Sequence, residues 1–267
     1  MTAEQIAKKI KRRRLGVFKS TLLIFLLVII IAIILVELKL PQESYTFIFT
    51  FCVLLLMGSL FYLNLNSRKK LQDIVLVQGN PELFKEVYSL LNKKEKFAKR
   101  FDLMICDFYY SFFSGDYKTY ISSYESSRSI LNLTLYELIS YYIQSLFFIN
   151  DLNGLRTAYD EFAKKRNAKF FLKSAQKQFS NIFSIIDFAY YYLKGDYESA
   201  YQACISYTEP PKNAPIHKFY IMYYTALCER ALGNEEAALE KFRYIANQDN
   251  TLDITRMAKE NLKCQII

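Results

Sequence analysis

The sequence predicts an all-α protein in which a two-helix transmembrane hairpin precedes an array of helical hairpins. Three observations carry that expectation. Residues 20–36 and 44–67 contain no charged side chain. Beyond them, five glycines recur at intervals of 36, 39, 41 and 38 residues, each with Asp or Asn beside it. Apolar residues at helical spacing flank these glycines, and no segment shows sustained strand alternation.

The first span is read as about 17–40 and the second as about 45–65. A helix rising about 1.5 Å per residue needs roughly 20 apolar residues to cross a bilayer core. Lys19 and Lys39 lie near the ends of the first span, where long basic side chains reach the interface. A cleaved signal peptide fits poorly, because the apolar run is long and no A-x-A-like site follows it. Neither span holds an ionisable residue in its interior, which points to an anchor rather than an ion or proton pathway. The chain therefore divides into a basic N-terminus (1–16), the hairpin (17–66) and a helical-repeat domain (67–267).

Charge gives the direction of insertion. Lys8, Lys9, Lys11, Arg12, Arg13 and Arg14 precede the first span, and Arg68, Lys69 and Lys70 follow the second. The connection around Pro41 has only Lys39. This asymmetry predicts that both termini are cytoplasmic, with the basic flanks against anionic headgroups of the bilayer. Composition rich in Lys, Asn, Ile and Tyr points to a bacterial cytoplasmic membrane. Of the formal net charge of +9, residues 71–267 retain only +1, so a nucleic-acid partner is not expected.

The glycines mark turns. Gly79-Asn80-Pro81-Glu82, Gly115-Asp116-Tyr117-Lys118, Gly195-Asp196-Tyr197-Glu198 and Gly233-Asn234-Glu235-Glu236 repeat one pattern. Asn153-Gly154-Leu155-Arg156 takes the corresponding place in the fourth copy. Glycine closes one helix in the left-handed conformation, and the Asp or Asn caps the next. Ala158, Ala200 and Ala238 recur at one offset, where the second helix must approach the first closely.

The segments Tyr192-Leu193-Lys194-Gly195-Asp196-Tyr197-Glu198-Ser199-Ala200-Tyr201 and Ala231-Leu232-Gly233-Asn234-Glu235-Glu236-Ala237-Ala238-Leu239 resemble the helix–turn–helix core of tetratricopeptide repeats (TPR). The resemblance implies a right-handed superhelix whose first helices line a concave protein-binding groove. It covers residues 67–267, with departures: longer spacing, Tyr120 at the small-residue position, and no tryptophan.

Residues for catalysis are sparse. The chain has one histidine, His217, and five cysteines (Cys52, Cys106, Cys204, Cys228, Cys264) without a CxxC pair. It has no glycine-rich phosphate loop, and Ser174–Lys177 matches SxxK without companion motifs. No enzyme activity, cofactor or metal is expected.

Aromatic residues cluster on the first helices: Tyr109-Tyr110, Tyr141-Tyr142, Tyr190-Tyr191-Tyr192 and Tyr223-Tyr224. Neighbouring residues on a helix point about 100° apart, so three consecutive tyrosines cannot share one buried stripe. Tyr110, Tyr191, Tyr192 and Tyr224 are the candidates for partner contact, with Lys194 and Arg230 available to meet carboxylates. The expected function is a membrane-anchored cytoplasmic scaffold that binds or recruits a protein or peptide. The alternatives are a membrane-tethered peptide-binding regulatory sensor and an accessory subunit of a transporter.

Overall fold

The computed structural model describes residues 2–37, parts of 46–58, 69–92, 100–127, 136–164, 166, 173–208 and 214–263. Among these residues every regular element is a helix. The chain forms two compact units, one of Met1–Asp73 with Glu86–Lys96, the other of Ile74–Lys85 with Phe97–Ile267.

In the first unit, α1 (Ala3–Glu37) opens with a reciprocal capping box. The Gln5 N–H donates to Thr2 Oγ1 at 3.3 Å, and the Thr2 N–H donates to Gln5 Oε1 at 3.1 Å. Ala3, Ala7 and Ile10, spaced to share one face, are buried. From Leu15 to Ile34 the character reverses, and twelve large apolar side chains are exposed. Among the described residues α1 alone is long and apolar enough to cross a membrane. The second expected span falls largely outside the described residues. Of the side chains described in that stretch, Phe47, Phe51, Leu54 and Met57 are exposed and Val53 is half-buried.

Helical residues 69–76 (α2) and α3 (Pro81–Asn92) lead into the array. It continues as α4 (Arg100–Ser114), α5 (Tyr117–Ser127), α6 (Tyr136–Phe148) and α7 (Leu152–Ala163). Then come α8 (Lys173–Leu193), α9 (Tyr197–Ser206), α10 (His217–Ala231), α11 (Glu235–Ala246) and α12 (Asp253–Lys263). Consecutive helices from α4 to α12 pack on one another, and α6 also packs on α4 and α8. The packing is repeat-like.

One turn recurs five times. Gly79, Gly115, Gly195 and Gly233 adopt φ of 64°, 87°, 80° and 85°. After Gly115, Gly195 and Gly233 the next residue donates its N–H to the carbonyl five positions back, as Asp116 does to Ser111 at 2.8 Å and Asp196 to Tyr191 at 3.0 Å, while Asn80 reaches one residue further, to Ile74 at 3.0 Å. This closes the outgoing helix with the 6→1 bond of a Schellman motif. The same residue starts the next helix: Asn80 Oδ1 accepts from the Leu83 N–H at 2.9 Å and Asp196 Oδ1 from Ser199 at 3.1 Å.

The third turn along the chain, between α6 and α7, lies earlier than the sequence reading put it. Asn150 takes the left-handed conformation, with φ 63°, and Asp151 caps α7 by accepting from the Gly154 N–H at 2.9 Å. Gly154 is thus inside the helix. Asn supplies the left-handed residue because its short polar side chain tolerates that backbone.

Within the second unit the two ends of the array meet. The Thr251 N–H donates to the Gly79 carbonyl at 2.9 Å, and Tyr117 Oη donates to Asp253 Oδ2 at 2.9 Å. α12 packs on α4 as well as on α10 and α11. Solenoid repeats contact only their neighbours. Here the last helix returns to the first hairpins.

Candidate functional site

The inward faces of α4, α6, α8 and α10 converge on a core of aromatic rings. Phe112 stacks on Tyr141 at 4.3 Å and on Tyr220 at 5.3 Å, joining α4, α6 and α10. Phe188 stacks on Tyr224 at 4.4 Å, and Phe147 meets the same ring edge-on at 5.6 Å. Side chains of the array itself fill the space between these four helices.

Several hydroxyl groups in this core are committed, whereas Tyr220 Oη is buried without a hydrogen-bond partner among the described residues. Tyr224 Oη donates to Gln144 Oε1 at 2.6 Å, and Tyr120 Oη donates to the Leu138 carbonyl at 2.7 Å. The Glu137 carboxylate accepts from Tyr109 and Tyr141, both at 2.7 Å. His217 Nε2 lies 2.9 Å from Tyr141 Oη and 3.8 Å from Glu137 Oε1. Because Tyr141 spends its one proton on Glu137, Nε2–H of the imidazole donates to the Tyr141 oxygen. The network ties α4, α6 and α10 together. Burial first, then the charge of Glu137, pushes the Tyr109 and Tyr141 phenols well above their usual range. They are fixed donors at neutral pH.

Burial lowers the His217 imidazole below its usual 6.5, and Glu137 offsets this only in part. The fold therefore favours the neutral ring. Its contribution to stability is present above pH 6.5 and is lost as pH falls from there toward the lower folded value, because the unfolded chain binds the proton first. His217→Gln is expected to flatten the decline in urea midpoint between pH 7 and about pH 5. An unchanged slope in the variant would show that another group carries it.

The residues singled out for partner contact do not form one surface. Tyr224 is fully buried. Tyr192 is half-buried against Phe147, Phe188 and Tyr197, and desolvation pushes its phenol up to about 12. Arg230 is held by Glu235 at 3.2 Å and Asn261 at 2.7 Å, with its guanidinium over the Phe242 ring. Tyr110 sits between α3 and α4, donating to Glu82 at 3.0 Å under the Lys85 ammonium.

Tyr191 and Lys194 lie on a different face. Tyr190 stacks on Tyr159 at 4.3 Å, Lys194 Nζ is 5.0 Å from the Tyr190 ring, and the Tyr159 and Tyr191 hydroxyls are 3.4 Å apart. Tyr191 also lines an open depression of about 610 Å³ with Asp187, Glu198, Tyr201, Gln202 and Leu232. Asp187 is paired there with Arg166 at 2.5 Å. Sequence reasoning missed the partners of Tyr191, since Tyr159 and Arg166 come from another helix and its exit.

Of the basic residues expected to flank a membrane, Lys8, Lys9, Arg12 and Arg13 are exposed on α1 and Lys11 is half-buried. Lys69 is exposed and Lys70 half-buried, while Arg68 and the Arg14 side chain fall outside the described set. Cys204 and Cys228 are buried free thiols on α9 and α10, and burial pushes the Cys204 thiol up, away from reactivity. No protein-family model matches the chain, and neither a curated protein nor a solved structure does.

Proposed function

We propose that this protein is a scaffold held on the cytoplasmic face of a bacterial membrane by an N-terminal two-span hairpin. Its TPR-like repeats would recruit a protein or peptide partner to that membrane. The observation that carries the reading is the exposed apolar length of α1. Twelve large apolar side chains stand uncovered between Leu15 and Ile34. At about 1.5–3 kcal/mol each, leaving them in water costs on the order of 20 kcal/mol, which a lipid environment removes. Burial of Ala3, Ala7 and Ile10, and the bond from Lys11 Nζ to the Leu90 carbonyl at 3.0 Å, support a segment retained in the working protein.

The face around Tyr191 and Lys194 is the better surface for a partner than the filled interior. It combines tyrosine area with unburied polar groups, as interfaces prefer.

Topology tests the proposal. A membrane-impermeant maleimide applied to intact cells should add mass when a cysteine replaces Gln42, but not when one replaces Lys9 or Lys118. External labelling at Lys118 would overturn the cytoplasmic scaffold.

A further inference from the structure

We propose that α1 and the last turn of α3 form a binding site for one anionic phospholipid of the inner leaflet. This rests on the membrane reading above and adds a specific ligand to it. A groove of about 470 Å³ runs along α1, lined by Lys8, Lys11, Arg12 and Leu15 with Leu90 of α3 as its wall.

The lining has two chemistries in a set order. Lys8 and Arg12 are one helical turn apart on one row, and Lys11 and Leu15 on the next. The three basic groups therefore all precede Leu15, the lining residue of α1 nearest the span, with Ala7 on their N-terminal side. Lys8 and Arg12 are exposed and form no ion pair among the described residues. Lys11 donates one N–H to the Leu90 carbonyl at 3.0 Å, which fixes its ammonium beside the groove with two donors left. Glu4, at the far end, is the one acidic residue in the lining.

Depth selects the ligand. The exposed apolar surface of α1 begins at Leu15. Lys11 and Arg12 lie four and three residues before it, about 4.5–6 Å along the axis. That is the thickness of one headgroup layer, roughly 5–8 Å per leaflet. A lipid phosphate at this level meets Lys11 and Arg12 while its acyl chain follows Leu15 and Leu90. A soluble anion would use the basic rim and leave the apolar wall unused.

The test uses the full chain in bilayers of phosphatidylcholine with a minor fraction of photoactivatable phosphatidylglycerol. Flotation with pure phosphatidylcholine vesicles reads the anchor separately. The proposal expects lipid adducts on residues 4–15 or 86–92, reduced about fivefold by Arg12→Gln, given roughly a 1 kcal/mol contribution per basic residue at an anionic surface. Lys9→Gln, outside the groove, should change the yield much less, and excess inorganic phosphate should not compete. Equal losses from both variants would mean diffuse surface attraction and would overturn the site, as would competition by phosphate. Normal flotation without any preference for phosphatidylglycerol also sinks the site but leaves the anchor intact. Failure to float with neutral vesicles overturns the anchor itself.

Discussion

Replacing Phe112 with alanine is expected to destabilise the unit formed by Ile74–Lys85 and Phe97–Ile267 by about 3–5 kcal/mol, lowering one transition shared by the whole unit. Phe112 has no exposed surface, and its ring meets Tyr117 and Tyr120 on α5, Tyr141 on α6 and Tyr220 on α10. Truncation leaves a cavity that rings from three other helices cannot all move to fill. Aromatic pairs add about 0.5–1.5 kcal/mol each beyond their buried area, so several such terms are lost together. In an open array the damage would spread only to adjacent repeats, and distant hairpins would melt on their own. Here α4 reaches α10 directly and α12 returns to α4. Urea unfolding of the full chain in detergent, followed by far-ultraviolet circular dichroism and by tyrosine emission, should give coincident curves shifted together. Separate transitions, or a loss below about 1 kcal/mol, would contradict an aromatic core shared across the array.

Much of this architecture can be read locally, because the turn is a local device. A left-handed residue followed by Asp or Asn needs only a few neighbours to form its bonds. Four of the five glycines accordingly sit where the pattern placed them, with positive φ. Gly154 misled because glycine identity was weighted above the pair as a whole. Asn150-Asp151 carries the same chemistry, with Asn in the left-handed role. Ala158, Ala200 and Ala238 are buried as expected, but with the turn at Asn150 the place matching Ala200 and Ala238 is taken by the buried Leu155 and not by Ala158. Tyr120, at the equivalent place, is buried too, because its hydroxyl finds the Leu138 carbonyl.

The meeting of the array's ends was not legible. Tyr117 and Asp253 are 136 residues apart, and no periodicity encodes which distant carboxylate a phenol will find. That contact also explains why the tyrosine argument went only half way. Adjacent tyrosines do diverge: Tyr109 and Tyr141 are buried, whereas Tyr110 and Tyr142 are half-exposed. Yet Tyr223 and Tyr224 are both buried, because α10 has neighbours on more than one side, α11 and α12 among them. A surface tyrosine and a core tyrosine look identical in a sequence until the long-range closure is known.

Gly115→Ala should destabilise the protein clearly more than Gly195→Ala, although the two glycines occupy equivalent turns. Both adopt left-handed backbone, with φ of 87° and 80°, and an alanine there costs about 1–2 kcal/mol from that alone. Space separates them. A Cβ on Gly195 meets nothing within 4 Å, whereas one on Gly115 would lie 2.6 and 2.7 Å from the two carboxylate oxygens of Asp253. Asp253 cannot easily step aside, since Tyr117 Oη donates to it at 2.9 Å and Arg256 Nε at 2.8 Å. Overpacking of this kind adds about 1–3 kcal/mol to the backbone strain. Asp253→Ala in the Gly115→Ala background removes the obstruction, so the double variant should lose less than the sum of the two single losses. Gly195→Ala combined with Asp253→Ala should simply add, because those positions share no contact. Urea midpoints of the five variants give the comparison. Equal costs for the two glycine substitutions, or additivity at Gly115 and Asp253, would mean that the α4–α5 turn does not rest on the start of α12 and that the ends of the array stand apart.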